Sequence, residues 1–313
     1  IPMRPLAYCL LLAATAVFGA DEAKPKVITA TPVERPLPSE KTKLPWHMVN
    51  LWWTMPETAD FESLEIDVTI SDDVDPSKLN LYIAPIGLGQ LNDTNFYGGI
   101  QSNIGGYPVS DASPQGDYHK GKGAIFSRWG NKDIDTSFVR PAVNGLTEAA
   151  GYEGDFASGR RPFPWKAGTY TYAIRKLTYE KDKDGKEWTW VGAFLTEKSS
   201  SQTVFITSLK FPGRTLKFWG HHSAFIEIYG GKKVVIADLP KLEVRIGMPR
   251  INGQPVALKT LSVNYPKNSG PASPAIMSTE LAEGGQEVIC KLHNEILTRE
   301  KWSFPLLPAT PAK

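Results

Sequence analysis

The feature of this chain that most constrains its fold is an alternation of apolar and polar residues that recurs along most of its length. In the segment FESLEIDVTIS, residues 61–71, every second position carries an aliphatic side chain: Leu64, Ile66, Val68 and Ile70. Side chains on a strand point alternately to its two faces, so this period of two predicts strands with one buried and one polar face. Comparable runs occur at 79–86, 124–129, 169–180, 187–195, 202–209, 223–229, 232–239, 241–246 and 257–265.

Turn signals separate several of these runs. Three glycine-containing pairs lie between alternating segments, as in tight β-hairpins: Asp184-Gly185, Gly230-Gly231 and Asn252-Gly253. The 25 prolines and 27 glycines add further turn positions, and no segment has the period of a long amphipathic helix. We therefore predict an all-β fold of mostly antiparallel strands, a β-sandwich of the jelly-roll or concanavalin A-like kind.

The N-terminal residues predict export. Arg4 precedes an apolar run, and small residues follow at Gly19 and Ala20, which indicates a Sec-type signal peptide over residues 1–20. The run is shorter than the roughly 20 residues that a membrane-spanning helix needs, so we predict no transmembrane segment and a secreted or periplasmic location. The remaining chain divides into a proline-rich linker, a sandwich domain, and C-terminal strands and a tail that could complete the sandwich, at 21–45, 46–265 and 266–313.

Charge and cysteine content argue against several classes of function. The chain has 35 basic and 33 acidic residues, and this balance gives no bulk attraction to nucleic acid, which we do not expect as a partner. Cys9 lies in the predicted signal peptide, so Cys290 would be left without a disulfide partner. Cys290 belongs to an apolar alternation, which favours a buried structural thiol over a nucleophile.

Motifs for cofactors and metals are incomplete. The segment GDYHKGKG, 116–123, ends in Gly123 where a phosphate-binding loop requires Ser or Thr. His221 and His222 are adjacent, and on a strand they would point to opposite faces rather than to one metal ion. We predict no cofactor and no metal; a structural calcium ion in the loop DDVD, 72–75, is the alternative to a solvated turn.

Glu65 and Asp67 resemble one part of a glycosidase active site. Retaining glycosidases place two carboxyl groups about 5–5.5 Å apart, and the same strand face could supply a further one at position 69. Thr69 occupies that position, so we predict that Glu65 and Asp67 are solvent-facing acids on an alternating strand.

Three segments taken together resemble a known family. FYGGIQS at 96–102, AIFSRW at 124–129 and GYEGDFASGRRPFPWKAGTYTY at 151–172 are similar, in order and spacing, to an exported bacterial family catalogued as domain of unknown function 3472. The similar positions are Tyr97, Gly98, Gln101, Ser127, Trp129, Glu153, Gly154, Trp165, Gly168 and Tyr170. Asp155-Phe156 departs from the family, which places a further glycine there. The resemblance spans about residues 48–265 and implies a sandwich fold and export, with no particular activity.

The stretch 151–172 admits three interpretations. The simplest is a loop that joins two strands, in which Glu153 caps backbone N–H groups or pairs with an arginine. The second is a sugar-binding edge in which Trp129 or Trp165 stacks on a pyranose ring. Its hydrogen-bonding partners would be Gln101, Glu153 and Arg161. The third is catalysis by Glu153, for which the sequence identifies no second acid or base.

These observations lead to one principal hypothesis and two alternatives. We expect a non-enzymatic protein that binds carbohydrate or another cell-envelope glycan. One alternative is a polysaccharide-active enzyme, a glycoside hydrolase or lyase that uses Glu153. The other is a structural envelope or interaction protein without a small ligand.

Further aromatic residues are expected mainly in the core. Pairs that share a strand face are more often core than ligand platform: Trp188 with Trp190, and Tyr170 with Tyr172. Trp52 and Trp53 point to opposite faces of their strand, so at most one of them is expected to be fully buried.

Overall fold

The structure is a computed structural model of the chain. It describes residues 31–32, 41–44, 47–105, 107–108, 121–130, 134–151, 154–229, 233–266, 275–298 and 303–307. The predicted signal peptide, most of the predicted linker, Glu153 and the Gly230-Gly231 turn lie outside the described residues. Within the described part, no helix is long and apolar enough to cross a lipid bilayer.

Almost all regular structure in these residues is β-strand. The strands in chain order are β1 (Thr31–Pro32), β2 (Val49–Thr54), β3 (Ser63–Ile70), β4 (Leu81–Leu91), β5 (Thr94–Gln101), β6 (Tyr107–Pro108), β7 (Gly123–Trp129), β8 (Val139–Pro141), β9 (Leu146–Ala150), β10 (Phe156–Pro162), β11 (Gly168–Lys181), β12 (Glu187–Glu197), β13 (Thr203–Pro212), β14 (His221–Ile228), β15 (Leu242–Gly247), β16 (Arg250–Ile251), β17 (Gln254–Pro255), β18 (Thr260–Asn264), β19 (Ala275–Leu281), β20 (Glu287–Thr298) and β21 (Ser303–Leu307). Short 3-10 helices lie at Thr136–Phe138 and Ile236–Asp238.

The strands form two antiparallel sheets. In the first sheet the order is β1-β20-β15-β3-β11-β12-β13-β8, with β16 beside β3, β17 beside β16 and β19 beside β20. In the second the order is β21-β18-β2-β14-β4-β5-β7-β10-β9-β6. The prediction of an all-β, mostly antiparallel sandwich is confirmed. The chain after residue 266 supplies β19 and β20 to the first sheet and β21 to the second.

The core lies between the sheets and follows the predicted alternation. The aliphatic residues of β3 are at most 2% exposed: Leu64, Ile66, Val68 and Ile70. Glu65 and Asp67 lie on the opposite face of β3, where both are half-buried and pair with the guanidinium of Arg250 at 3.5 and 3.1 Å. The two acids therefore face outward as predicted, but an arginine neutralises them.

The aromatic pairs lie on both sides of the first sheet. Tyr170 and Tyr172 are in the core, as predicted. Trp188 and Trp190 are also buried, yet they lie on the outer face of β12, because the core-facing residues of that strand are Val191, Ala193 and Leu195. Basic side chains cover these rings; the guanidinium carbon of Arg140 is 3.7 Å from the ring centroid of Trp190. Both rings are buried as predicted, but on the outer face of the first sheet, where cations cover them, rather than between the two sheets.

Predictions for single residues and turns are confirmed in several places. Trp53 is fully buried, whereas Trp52 is half-buried on the outer face of β2. Cys290 is fully buried among core side chains. The predicted turns at Asp184-Gly185 and Asn252-Gly253 join β11 to β12 and β16 to β17.

The prediction of a strand at 232–239 is wrong for the residues of this segment that the structure describes. Val234 makes one isolated bridge to Thr42, and Ile236–Asp238 is a 3-10 helix in which Ile236 is fully buried. Strand propensity depends on context, and here the apolar residues reach the core from a helical turn.

The two sheets approach each other closely at Gly159 on β10. A Cβ atom there would overlap Oγ1 of Thr207 on β13 and would lie 2.5 Å from its Cβ. Thr207 is branched and fully buried, so it has little room to move. Gly159→Ala is therefore expected to lower the free energy of unfolding by about 1–3 kcal/mol, as overpacked cores do.

Urea denaturation of Gly159→Ala and of a control, Gly151→Ala, checks this expectation. Gly151 is exposed, and an added Cβ would meet only a carboxylate oxygen of Asp155 at 3.2 Å. The control should stay within about 0.5 kcal/mol of the parent chain. Equal stabilities for the two variants would contradict the close approach.

Candidate functional site

Trp129, at the end of β7, presents its ring on the outer side of the second sheet. The residue is half-buried, and its ring centroid lies 4.4 Å from that of Tyr97 on the neighbouring strand β5. Gly154, the residue that follows Glu153, lies beside the same ring, because a Cβ atom at that position would be 3.5 Å from Cδ1 of Trp129. Of the two predicted stacking residues, Trp129 is the one whose ring the fold leaves partly accessible.

Trp129 belongs to a continuous aromatic stripe across the second sheet. Antiparallel pairing places same-face side chains of adjacent strands side by side, which brings aromatic residues of β14, β4, β5, β7 and β10 together. Consecutive ring centroids are 4.0–6.3 Å apart along the series His47, Phe225, Tyr82, Tyr97, Trp129 and Phe156. Phe225, Tyr82 and Phe156 are buried, so the partly accessible rings of the stripe are those of His47, Tyr97 and Trp129.

The β4–β5 hairpin builds one end of this sheet. Its tight turn is made by Asn92 and Asp93, which both have positive φ, at 47° and 60°. The side-chain nitrogen of Asn92 donates to the backbone oxygens of Pro212 and Thr215, at 2.7 and 2.8 Å. Pro212 ends β13 of the first sheet, so the turn is anchored to both sheets.

Four side chains lie in a row along this end, which we call the end row: Trp219, Gln90, Asn95 and Trp129. Gln90 and Asn95 are cross-strand partners, and Nε2 of Gln90 donates to Oδ1 of Asn95 at 2.7 Å. The backbone N–H of Trp219 donates to the carbonyl of Gln90 at 3.1 Å, while Asn95 and Trp129 line one groove. Two half-buried tryptophans thus flank a pair of amide groups.

Two grooves open on either side of the Asn92-Asp93 turn. The larger has a volume of about 400 Å³, and its walls include Asn95, Trp129, Phe138, Lys186 and Trp188. The smaller has a volume of about 250 Å³, and its walls include Glu57, Gln90, Lys217 and Trp219. Asp93 lines both grooves, so they are neighbours along one surface.

Arg128 lines the larger groove from between the sheets. It precedes Trp129 on β7 and therefore points to the opposite face, where it is 5% exposed. Nε donates to the carbonyl of Trp129 at 3.3 Å, and Nη1 donates to the carbonyl of Lys210 on β13. The ring centroids of Phe138 and Phe211 are 5.0 and 5.3 Å from the guanidinium carbon. Burial lowers the pKa of Arg128 to about 10, so it is a cation at neutral pH.

Two of the predicted sugar-binding residues have structural roles instead. Trp165 is 1% exposed, and its indole nitrogen donates to the backbone carbonyl of Gln101 at 3.2 Å. Gln101 is 4% exposed, and its side-chain nitrogen donates to Oδ1 of Asn80 at 3.0 Å. The predicted ligand contacts of Trp165 and Gln101 are wrong, because a buried ring and a buried, bonded amide do not meet a ligand at the surface.

The structure does not bring Arg161 to Trp129. Nη1 of Arg161 donates to the carbonyl of Phe205 at 2.6 Å, whereas the preceding residue, Arg160, lies on the face of Trp129 and pairs with Glu148. Trp129 is opposite Phe156 at the other end of β10, roughly 16 Å from Arg161 along the strand. Glu153 is outside the described residues, so of the five predicted residues Trp129 alone is placed in the end row.

The sequence interpretation missed the other members of this surface. Asn92-Asp93 between alternating residues is a hairpin signal, and it could have placed Gln90 opposite Asn95. Arg128 lies inside a predicted strand, and its burial depends on the second sheet. Trp219 carries no local signal, because it reaches Gln90 through pairing of segments that are far apart in sequence.

No cluster of three or more His, Cys, Asp or Glu side chains that could hold a metal ion occurs in the described part of the chain. His222 is fully buried in the core side of β14, and His221 stacks on Trp52 outside, with centroids 4.9 Å apart. In the 72–75 loop, Asp73 pairs with Lys122 at 2.7 Å.

No protein-family model and no curated protein matches the chain. Solved structures of glutamic peptidases are similar to it at a low level. Scytalido-glutamic peptidase with a transition state analog inhibitor has a TM-score of 0.39 and 9% identity, over 81% of this chain and 98% of that one. SCP-B, a member of the Eqolisin family in a complex with a tripeptide, has a TM-score of 0.29 and 9% identity, over 78% and 96%. Likeness at this level does not bear on activity.

Proposed function

We propose that this protein binds carbohydrate, as a polysaccharide or cell-envelope glycan, along the end row. The observation that carries the proposal is the pair of partly accessible indole rings, Trp129 and Trp219, with two amide side chains between them. The flat apolar face of a pyranose packs on an indole ring, and amide groups both donate to and accept from its hydroxyl groups. Grooves that combine aromatic walls with a few polar groups are typical of ligand sites, and the larger groove has a suitable volume of about 400 Å³.

The length of the end row suits a polymer better than a single sugar. Trp219 precedes β14 and Trp129 lies on β7, with β4 and β5 between them. Three strand spacings separate them, which amounts to about 14 Å. A ligand that contacts both rings must therefore contain several sugar units.

Among the residues that the structure describes, the acids of this surface favour binding over catalysis. Glu57 pairs with Lys217 at 2.6 Å, and Asp93 is an exposed residue of the hairpin turn. General acid–base cleavage of a glycosidic bond needs two carboxyl groups facing one bond. We therefore propose a non-enzymatic protein, which meets its ligand in the periplasm or outside the cell if the N-terminal signal functions as predicted.

Affinity electrophoresis through gels that contain different soluble polysaccharides tests the proposal. The parent chain should be retarded by at least one polymer. Trp129→Ala and Trp219→Ala should each weaken that binding by about tenfold or more, since each removes a stacking surface worth about 1.4 kcal/mol or more. Tyr229→Ala is the matched control, because Tyr229 is an exposed aromatic at the opposite end of β14.

Each outcome of this experiment has a definite meaning. If all three variants were retarded as strongly as the parent chain, the ligand would bind elsewhere and the end-row proposal would be contradicted. A zone of degraded polysaccharide behind the protein band would show that the protein is an enzyme. No retardation by any polymer of a broad panel would leave an interaction protein without a glycan ligand.

A further inference from the structure

We infer that the larger groove selects an anionic sugar, and that Arg128 holds the carboxylate or sulfate group of that sugar beside Trp129. This inference rests on the proposed function and adds the chemical class of the ligand. It is carried by the geometry of Arg128, a buried guanidinium that opens toward a groove and has no carboxylate beside it in the described structure.

A count of hydrogen bonds shows which edge of the guanidinium is available. Arginine has five N–H donors. In the described structure Nε and Nη1 donate to the carbonyls of Trp129 and Lys210, and Nη2 has no acceptor. Nη2 is 3.5 Å from where a Cβ of Gly130 would be, and Gly130 is an exposed residue of the groove wall. The open edge of Arg128 therefore faces the groove.

Other arginines of the described chain have carboxylate partners, which Arg128 lacks. Five of them lie within 4.0 Å of a carboxylate oxygen: Arg140, Arg160, Arg175, Arg245 and Arg250. Arg128 is more deeply buried than most of these, yet its neighbours are two carbonyls and two phenyl rings. A buried charge is costly unless it is paired. An anionic group that enters the groove would therefore give Arg128 the partner that the described fold does not supply.

The charges around the groove favour the same ligand. Lys186 is exposed on the wall, with its amine 4.2 Å from the Trp188 ring centroid. Lys210 lies further back and already pairs with Glu180 at 2.9 Å. Asp93 is the acid among the lining residues, and it sits on the exposed turn at the far rim. Arg128 and Lys186 outnumber the one acid, Asp93, so the groove wall carries a net positive charge. Nη2 of Arg128 has two N–H groups that can donate to a carboxylate or sulfate oxygen.

Matched pairs of polymers test the inference on the intact parent chain. Affinity electrophoresis compares polygalacturonate with its methyl ester, and dextran sulfate with dextran. We expect the anionic member of at least one pair to bind about tenfold more tightly or better, and the pair that shows this identifies carboxylate or sulfate. Equal affinity for the two members of both pairs would overturn the inference. If that binding were still lost in Trp129→Ala, the proposed function would nevertheless stand.

Variants locate the anion site. Arg128→Gln and Lys186→Gln should each weaken binding of the anionic polymer by about tenfold relative to the neutral one, which removes the preference. Arg245→Gln is the control, because it makes the same change of charge on an outer face of the first sheet. An anionic preference that survives in both Arg128→Gln and Lys186→Gln would overturn the inference. Since Arg128→Gln could unfold the chain, the surface variant Lys186→Gln gives an independent result.

Discussion

Replacing Phe218 by alanine is expected to lower the free energy of unfolding by about 3–5 kcal/mol, the usual cost of removing a buried phenyl ring. Phe218 is fully buried at the end of the sandwich that carries the end row. Its ring centroid lies 5.6 Å from that of Phe61 and 6.4 Å from that of Phe96. Its backbone also forms hydrogen bonds with that of Thr58, so the surrounding chain is held in place and cannot easily collapse into the cavity that the missing ring would leave.

Urea denaturation followed by tryptophan fluorescence measures this cost. Val143→Ala is the control, because Val143 is 86% exposed and its loss should change stability by no more than about 0.5 kcal/mol. A loss below about 1 kcal/mol for Phe218→Ala would mean that the core around this ring is loosely packed. Binding by Phe218→Ala below its unfolding transition should persist, because the ring does not line either groove.

Acidification from pH 7 to pH 4 is expected to cost the fold about 3 kcal/mol through one histidine. His222 is fully buried, and burial lowers its pKa from the usual 6.5 to about 4. Its Nε2 lies 3.3 Å from the carbonyl of Pro85, and its Nδ1 has no hydrogen-bond partner in the described structure. A second proton would put a charge on a ring that is removed from water, and the nearby backbone carbonyls offset only part of that cost.

The direction of the effect follows from proton binding. Between pH 6.5 and about 4 the unfolded chain takes up a proton at His222 and the folded chain does not, so stability falls as the pH falls through this window. Below about 4 both states are protonated there and the loss from His222 stops. Burial also lowers the pKa values of His47 and His221, which act in the same direction.

A comparison with His222→Gln isolates the contribution of this residue. The amide of glutamine can still donate to Pro85, and it does not titrate. Between pH 7 and pH 5 the parent should lose about 2 kcal/mol more stability than the variant, because carboxylates and the other histidines change equally in both. Parallel losses in the two proteins would contradict a buried neutral imidazole.

The faces of individual strands could be predicted from the sequence, because alternation is a local property. Leu64 and Glu65 lie on opposite faces of β3 as their pattern requires, and Trp52 and Trp53 separate in the same way. Alternation does not say which face meets the other sheet. For that reason Arg160 and Arg161 could be assigned to opposite faces, but not to the outer and inner face respectively.

The candidate site was only partly predictable, because its members meet through distant pairing. Trp129 ends one alternating run of the sequence and Trp165 precedes another, and neither position reveals that Trp129 is half-buried while Trp165 is fully buried with its indole N–H bonded to Gln101. Trp219 reaches Gln90 through neighbouring strands that are separated by most of the domain. The sequence interpretation named Gln101, Glu153 and Arg161 as polar partners of the ring, whereas the described residues that line the groove with Trp129 include Asn95 and Arg128.

The order of strands has a consequence for how fast this chain can reach its folded state. β20 lies between β15 and β1, where Thr31 is opposite Thr298, and β18 pairs with β2, where Leu261 is opposite Trp53. Such pairings join segments from opposite ends of the polypeptide, and β-proteins dominated by them fold on the order of milliseconds to seconds. Until the last strands pair, the backbone N–H and C=O groups along the edges of β15 and β18 are exposed and can bond to another copy of the chain. Refolding yield should therefore fall as protein concentration rises, even where the finished fold is stable.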